Sequence, residues 1–192
     1  MTPLLLLCLC VTVALAQVPT PCMTPAQWQG RVFTVDREKM FGRYGMAFYD
    51  ATNTRVRIVE EVKEGSSDNF YDKLDLFNIQ RRYVVNLKTR VCNTTSLTRP
   101  FRPFAVPFDA RFETQANLGV IGNQQEEVTV QNFSGNTTDG GRYLIGVSSP
   151  DCLPIYDFYN SNATGFVRTN FFDLTMGIVD PSIFIPPREC SP

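Results

Sequence analysis

Apolar and polar residues alternate with a period of two in short runs along most of the chain, and turn-forming residues separate the runs. Arg31–Val35 is a brief β-rich run. Gly45–Tyr49 sets Met46 and Phe48 on one face, and Arg55–Val59 sets Val56 and Ile58 against Arg55, Arg57 and Val59. Between them, Asp50-Ala51-Thr52-Asn53 reads as a hairpin loop. Leu74–Ile79 and Arg82–Leu87 form another candidate pair, the second with Tyr83, Val85 and Leu87 on one face. Val128–Phe133, Tyr143–Val147 and Phe166–Val179 follow, with Tyr143, Ile145 and Val147 sharing a side. The last run is the longest and sets Phe172, Leu174, Met176 and Ile178 against Phe171, Asp173, Thr175 and Gly177. No helical periodicity of about 12 residues interrupts the series. The pattern predicts an all-β, mainly antiparallel fold, with two sheets forming a curved sandwich or half-open barrel.

Residues 1–16 do not belong to that fold. The apolar run from Leu4 through Val11, Val13 and Leu15 ends in Ala14-Leu15-Ala16, a small-x-small cleavage pattern. It reads as a secretory signal peptide, although no Lys or Arg precedes the apolar stretch. The mature chain is expected to start near Gln17 and to form a single domain over 17–192. Four cysteines then remain, Cys22, Cys92, Cys152 and Cys190. In a secreted chain they imply two disulfides, and spacing leaves all three pairings open. Sequons at Asn93, Asn132, Asn136 and Asn162 add N-glycosylation, and each of these positions should face water.

Charge and chemistry narrow the function by exclusion. The net charge is −1, so there is no basic field for nucleic acid. The chain has no histidine, which removes Ser-His-Asp, Cys-His and His-based acid–base mechanisms. Ser67-Asp68-Asn69 lacks its companion elements and is a chance tripeptide. Neighbouring acids such as Glu60/Glu61 and Glu126/Glu127 would point to opposite faces of a strand, so they do not converge as a hydrolase pair. No enzyme activity and no obligatory cofactor are expected. Calcium is the one candidate ion: Asp68, Asp72 and Asp75 cluster without EF-hand spacing, and the simpler reading is a solvated acidic loop. The one biased segment is Arg99–Phe108, RPFRPFAVPF, in which three Pro alternate with three Phe. It cannot be a central strand. It is either an aromatic cover over an apolar opening or, the favoured alternative, a loop that plugs the end of the sandwich.

Fifteen Phe and seven Tyr are an excess for a domain of this size. Core packing is the ordinary use of such residues. A curved sheet lined by them can also leave a cavity for an apolar ligand.

Several spaced motifs carry a family resemblance. Pro21-Cys22-x-x-Pro25-x-x-Trp28-x-Gly30 opens the series. Asn123-Gln124-x-Glu126-x-Val128-Thr129-Val130-Gln131 and Asp151-Cys152-x-Pro154 follow in order. Phe171-Phe172-Asp173-Leu174-x-x-Gly177-Ile178-x-Asp180-Pro181-Ser182-x-Phe184-x-Pro186-Pro187, then Cys190, closes it. Together they resemble the ependymin family across Pro21 to Cys190, the mammalian members more than the fish brain members.

The resemblance implies two antiparallel sheets in a half-open sandwich like the bacterial lipoprotein carriers, with a deep hydrophobic pocket between them. It implies a secreted or lysosomal glycoprotein, commonly a homodimer. Calcium binding, extracellular matrix contact and binding of anionic lipids such as gangliosides go with the family. It implies the pairing Cys22–Cys152 and Cys92–Cys190. A further cysteine pair of the mammalian members has no counterpart here, so Glu60–Tyr71 is expected to be looser. The leading expectation is a protein that binds lipid or another hydrophobic small molecule; calcium-dependent matrix adhesion is the alternative. The expected ligand contacts are Met46, Phe48, Val56, Ile58, Leu76, Tyr83, Val85, Ile145, Val147, Phe172, Leu174 and Met176. Tyr83 could also hydrogen-bond a head group. Each choice of face rests on alternation, and a register error of one residue would exchange it.

Overall fold

The structure is a computed structural model that describes residues 18–36, 38–123, 125–138, 140–162 and 165–190. The expected signal peptide, with Cys8 and Cys10, and the start near Gln17 lie outside the described residues. Among the described residues eleven strands run in sequence order: β1 Gln27–Asp36, β2 Phe41–Asp50, β3 Arg55–Glu64, β4 Ser67–Leu76, β5 Arg81–Asn86, β6 Cys92–Ser96, β7 Arg111–Gly119, β8 Glu127–Asn136, β9 Arg142–Ser148, β10 Pro154–Ser161 and β11 Gly165–Met176. The helices among the described residues are three short 3-10 turns, at Phe77–Ile79, Pro181–Phe184 and Arg188–Cys190. Among the described residues no helix is long and apolar enough to cross a membrane.

All pairings are antiparallel, and they join the strands into one unclosed sheet in the order β6-β5-β4-β3-β2-β1-β11-β10-β9-β8-β7. The two expected sheets are therefore two halves of one, joined where β1 pairs with β11. Register defines the faces. Trp28 pairs with Tyr49, Tyr49 with Val56, Val56 with Asp75 and Asp75 with Arg82, so these five share a face. Across the junction, Val32 pairs with Phe171; the same face continues through Thr169, Asp157, Ile145 and Phe133. That face is concave. On a flat sheet β2 and β10, three strands apart, would be about 14 Å from each other. Yet Val56 and Ile58 of β3 and Leu153, just before β10, all pack against one buried cluster.

The concave face holds most of the core. Trp28, Val32, Ala47, Tyr49 and Phe171 form one buried cluster, with Val56, Ile58, Leu153 and Leu174 packed around it. Phe133, Val147, Cys152, Val106 and Ala110 form a second. Both clusters draw on the proline-rich segment: Phe101 and Phe104 join the first and Val106 the second. RPFRPFAVPF is thus a strap packed into the concave face, which is neither a cover over an open cavity nor a plug at the end of the sandwich. It is tied down at several points. Tyr49 Oη accepts from the Phe104 backbone N–H at 2.9 Å, and Thr24 Oγ1 donates to the Phe104 carbonyl at 2.8 Å. The Val106 N–H donates to the Cys22 carbonyl at 3.0 Å, beside the Cys22–Cys152 disulfide.

The C-terminal segment covers part of the opposite face. The 3-10 turns at Pro181–Phe184 and Arg188–Cys190 touch β3, β5 and β6. Phe184 is buried and the Arg55 guanidinium lies 4.1 Å from its ring centroid. The Cys92–Cys190 disulfide anchors the end. Both disulfides match the pairing that the family resemblance implied.

Three local expectations change. Glu60–Tyr71 is no loose region: β3 and β4 pair without a break from Arg55/Leu76 to Glu64/Ser67, and Gly65 turns the chain at φ +58°. Asp68, Asp72 and Asp75 lie within β4 and not in a loop. Asp72 and Asp75 face opposite sides, where Arg57 takes the first and Arg82 the second. The predicted run Leu74–Ile79 stops as a strand at Leu76, where a 3-10 turn begins.

Candidate functional site

The strap fills the middle of the concave face, and among the recesses that remain in the described residues two are of opposite character. The first measures about 470 Å³ and lies between the start of β8, the β9–β10 connection and the end of β11. Its apolar walls are Val128, Leu153, Ile155, Phe171, Phe172 and Leu174. A bulge shapes it: the β1–β11 register shifts between Gln29 and Arg31, and Asp173 takes φ +50°. The shift turns Leu174 onto Gly30, where a β-carbon would come within 2.6 Å of Leu174 Cδ2 and 2.9 Å of the Phe172 carbonyl oxygen, and the backbone contact is what requires glycine here. Phe172, paired with Arg31, is left 48% exposed, and Val128 across the groove is 45% exposed. Glu127, Asp151 and Asp173 complete the rim, and among the described residues no Lys or Arg lines it. Asp173 is bridged at 2.8 Å by Arg31, on an exposed surface.

The second groove, about 340 Å³, lies over β3, β4 and β5. Val56, Ile58 and Val84 form its floor, while Arg43, Lys73, Asp75, Arg82 and Arg99 surround it. Glu60 stands behind with its side chain fully enclosed. It accepts from Lys73 Nζ at 2.5 Å and lies 3.9 Å from Arg43. Asp75 holds Arg82 through two hydrogen bonds, at 2.6 and 2.5 Å, and Arg99 at 3.3 Å. Facing it from the other half, the Asp157 carboxyl is pushed up by burial, against the opposing pull of its Thr169 hydrogen bond and the Arg43 charge.

A family model described as Ependymin matches residues 65–190. The chain is 31% identical to mammalian ependymin-related protein 1 of Rattus norvegicus, over 90% of this chain and 77% of that protein. The chain belongs to the ependymin family. It is also 26% identical to ependymin-1 of Oncorhynchus mykiss, over 79% of this chain and 68% of that one. Among solved structures, an uncharacterized conserved protein from Thermus thermophilus superposes with a TM-score of 0.57 at 9% identity, covering 85% of this chain and 87% of that one. That likeness is one of fold. Family membership supports a secreted glycoprotein, and the two disulfides fit that environment.

In this ependymin-family chain the twelve expected ligand contacts do not line one pocket, because register divides them between the two faces. Val56 and Ile58 floor the second groove, and Leu174 lines the first. Ile145 and Val147 are on the concave face in the Phe133 cluster. Met46, Phe48, Leu76, Tyr83 and Val85 are on the opposite face: Phe48 pairs with Arg57, Arg57 with Leu74 and Leu74 with Tyr83. Phe172 stands at the bulge and lines the first groove, and Met176 is largely exposed at the end of β11. Val85 and Val147 are enclosed by the protein itself, so they pack and present nothing to a ligand. Leu153 and Ile155 were missed because β10 opens at Pro154 with a bulge that hides its alternation. The basic side chains of the second groove were missed because a charged residue on an alternating strand reads as a solvated one.

Among the sequons, Asn93, Asn136 and Asn162 are exposed. Asn132 corrects the expectation that every sequon faces water. It is 7% exposed within β8; its Nδ2 donates to the Thr114 carbonyl at 3.2 Å and its Oδ1 accepts from Tyr156 Oη. A glycan on that nitrogen would need the space the sheet occupies.

Proposed function

We propose that this secreted ependymin-family glycoprotein binds a lipid or another hydrophobic small molecule in the groove formed by Val128, Leu153, Ile155, Phe171, Phe172 and Leu174. One observation carries the proposal. Large apolar side chains stand half exposed around a recess of about 470 Å³ that continues into the aromatic core. The size falls within the range of small-molecule sites. Each methylene buried there contributes about 0.8 kcal/mol, so an eight-carbon segment supplies on the order of 6 kcal/mol before the costs of association. The acids on the rim favour an uncharged or zwitterionic head group in this groove over the anionic ones the family resemblance implies. No catalytic step and no cofactor are proposed. The site of action would be the extracellular space or the lysosomal lumen. A homodimer is the proposed assembly, for which the outer edge of β7, with no neighbouring strand among the described residues, is available.

The calcium-dependent adhesion reading has no observation in its favour, since Arg57 and Arg82 already hold Asp72 and Asp75. Under the proposal, EDTA leaves the melting temperature unchanged.

Titration with a non-polar fluorophore tests the groove. The parent protein should bind with micromolar or tighter affinity. Phe172→Ser should weaken binding about tenfold, the effect of losing half the burial of one phenyl ring. A parent protein that leaves the fluorophore in water contradicts the proposal.

A further inference from the structure

The sheet is incomplete at the end of β8 that lies farthest from the apolar groove. β7 begins at Arg111, opposite Ser134, so Gly135 and Asn136 have β9 on one side and no rung of β7 on the other. The gap is a polar recess of about 590 Å³, within the size range of small-molecule sites. Asp109, Arg111, Ser134, Arg142 and Tyr143 line it together with Asn136, the acceptor of the sequon Asn136-Thr137-Thr138. Gly135 lets the Tyr143 ring lie across the strand, since a β-carbon there would come within 2.5 Å of the ring Cζ. Arg111 is taken by Glu113, through two hydrogen bonds at 3.0 and 2.6 Å. Asp109 and Arg142 remain, both exposed, one an acceptor and the other a donor, with no net charge between them. Such a pair beside an aromatic ring suits a neutral, hydroxyl-rich occupant better than an ion.

Next to Asp109 in the chain stands Phe108. It is 94% exposed, more than any other large apolar side chain among the described residues. The backbone enforces that exposure. Val106 and Ala110 are both buried in the second core cluster, and the Ala110 N–H closes a turn onto the Pro107 carbonyl at 2.9 Å. The turn between them aims Phe108 away from the core its neighbours enter. An antiparallel ladder carries the residues before Arg111 and those after Ser134 in the same direction, so Phe108 and Asn136 share this end of the sheet. A phenyl ring left in water gains none of the stabilisation of burial, and the protein supplies it no cover.

We propose that the N-glycan of Asn136 is that cover: its first two N-acetylglucosamine residues lie in the recess, with hydroxyl and acetamide groups on Asp109 and Arg142 and a C–H face against the Phe108 ring. A pyranose ring carries C–H groups on its faces and hydroxyls around its edge, which matches an aromatic wall with a polar rim. Attachment to Asn136 holds the sugar beside the recess at high effective concentration, so weak contacts suffice to dock it. The glycan then completes the β7–β8–β9 end of the sheet as a structural part. The inference rests on the reading of the chain as a glycoprotein and is independent of the apolar groove, which lies at the other end of β8.

Glycopeptide mapping, thermal melting and hydrogen exchange of the protein secreted from eukaryotic cells test the site. Asn136 should be occupied. Thr138→Ala removes this sequon and keeps Asn136; it should lower the melting temperature by about 3 °C and speed exchange several-fold at residues 107–112 and 134–136. Phe108→Ser should cause a similar fall in the glycosylated protein and none in the Thr138→Ala background, where the ring faces only water. Because Phe108 is in water apart from the sugar, its substitution leaves folding intact. Asn93→Gln, at a sequon outside the recess, should change neither readout. A protein occupied at Asn93 or Asn162 and bare at Asn136 overturns this site alone, and one bare at every sequon overturns the glycoprotein reading with it. An occupied Asn136 whose loss leaves melting and exchange unchanged, or a Phe108→Ser effect that is the same with and without the glycan, also overturns the proposal.

Discussion

The half of the sheet from β2 to β5 is tied together by charge, and the half from β8 to β11 by neutral hydrogen bonds and apolar packing. In the first, Arg57–Asp72, Lys73–Glu60, Arg55–Asp50 and Arg82–Asp75 join neighbouring strands or strand ends. In the second, Tyr156 donates to Asn132, and Thr169 holds the half-buried Asp157. The two halves share a fold and pairing rules, yet they leave grooves of opposite kind. Cross-strand ion pairs fix where charge can go and line the recess over β3, β4 and β5 with charged side chains. The neutral half can expose Phe172 and Val128 along a recess that no base lines.

The largest expected effect lies in the charged half. Lys73→Met leaves Glu60 enclosed with only a distant Arg43, and urea unfolding should show a loss of about 3 kcal/mol. Adding Glu60→Leu should restore most of it, since an apolar pair replaces a buried ionic one at little cost. In the neutral half, Tyr156→Phe removes only the donor to Asn132, and its cost should be nearer 1 kcal/mol. Equal losses in the two halves would erase the contrast.

Acid response should differ next. Burial pushes the Asp50 carboxyl up, but hydrogen bonds from Asn53, Gln27 and Arg55 overcome this and bring it down to about 2. A carboxyl lowered on folding stabilises the fold above its unfolded pKa of about 4, and that contribution vanishes as pH falls toward 2. It amounts to about 2 kcal/mol at neutral pH, so Asp50→Asn should lose that much at pH 7 and almost nothing at pH 2. Asp157 has the opposite sign. Its carboxyl is raised by burial, so it favours the fold at acid pH and loses that effect as pH rises through its folded value. Asp157→Asn should therefore flatten the acid side of the stability profile without lowering stability at pH 7. Matching profiles for the two variants would contradict the assignment.

The smallest effect concerns sugars. Glycopeptide mapping should find Asn93, Asn136 and Asn162 available for occupancy and Asn132 bare, because Asn132 is built into the neutral half. An occupied Asn132 in folded protein would mean that β8 does not pack as described.

Much of the architecture could be read from the residues. The alternation at Met46/Phe48, Val56/Ile58 and Tyr143/Ile145/Val147 marked β2, β3 and β9, and the hairpin at Asp50–Asn53 was placed correctly. β7 escaped because its exposed edge, Glu113 to Gly119, is mostly polar and needs no apolar face. β6 escaped because Cys92–Ser96 is short and hydrophilic. The opening of β4 escaped because Ser67-Asp68-Asn69 reads as a turn, and only the complete β3 ladder holds it extended. The site was legible in part. Period two reveals that residues share a face but not which face is concave; that depends on how Trp28 pairs with Tyr49 and Val32 with Phe171, contacts between distant segments. Leu174 and Phe172 would have stood together by simple alternation, and the bulge at Asp173 placed them on different sides of the same groove. The strap was visible as composition, but only the structure shows Phe101 and Phe104 against Trp28 and Tyr49, in the space a deeper pocket would have used.

The most direct test of the account is mass spectrometry of the small molecules retained by natively purified protein, with Phe172→Ser purified in parallel. The account predicts a lipid or comparably apolar compound on the parent, at a substantial fraction of one per chain, and clearly less on the variant. A folded parent that carries nothing apolar and takes up none when exposed to lipid would contradict it.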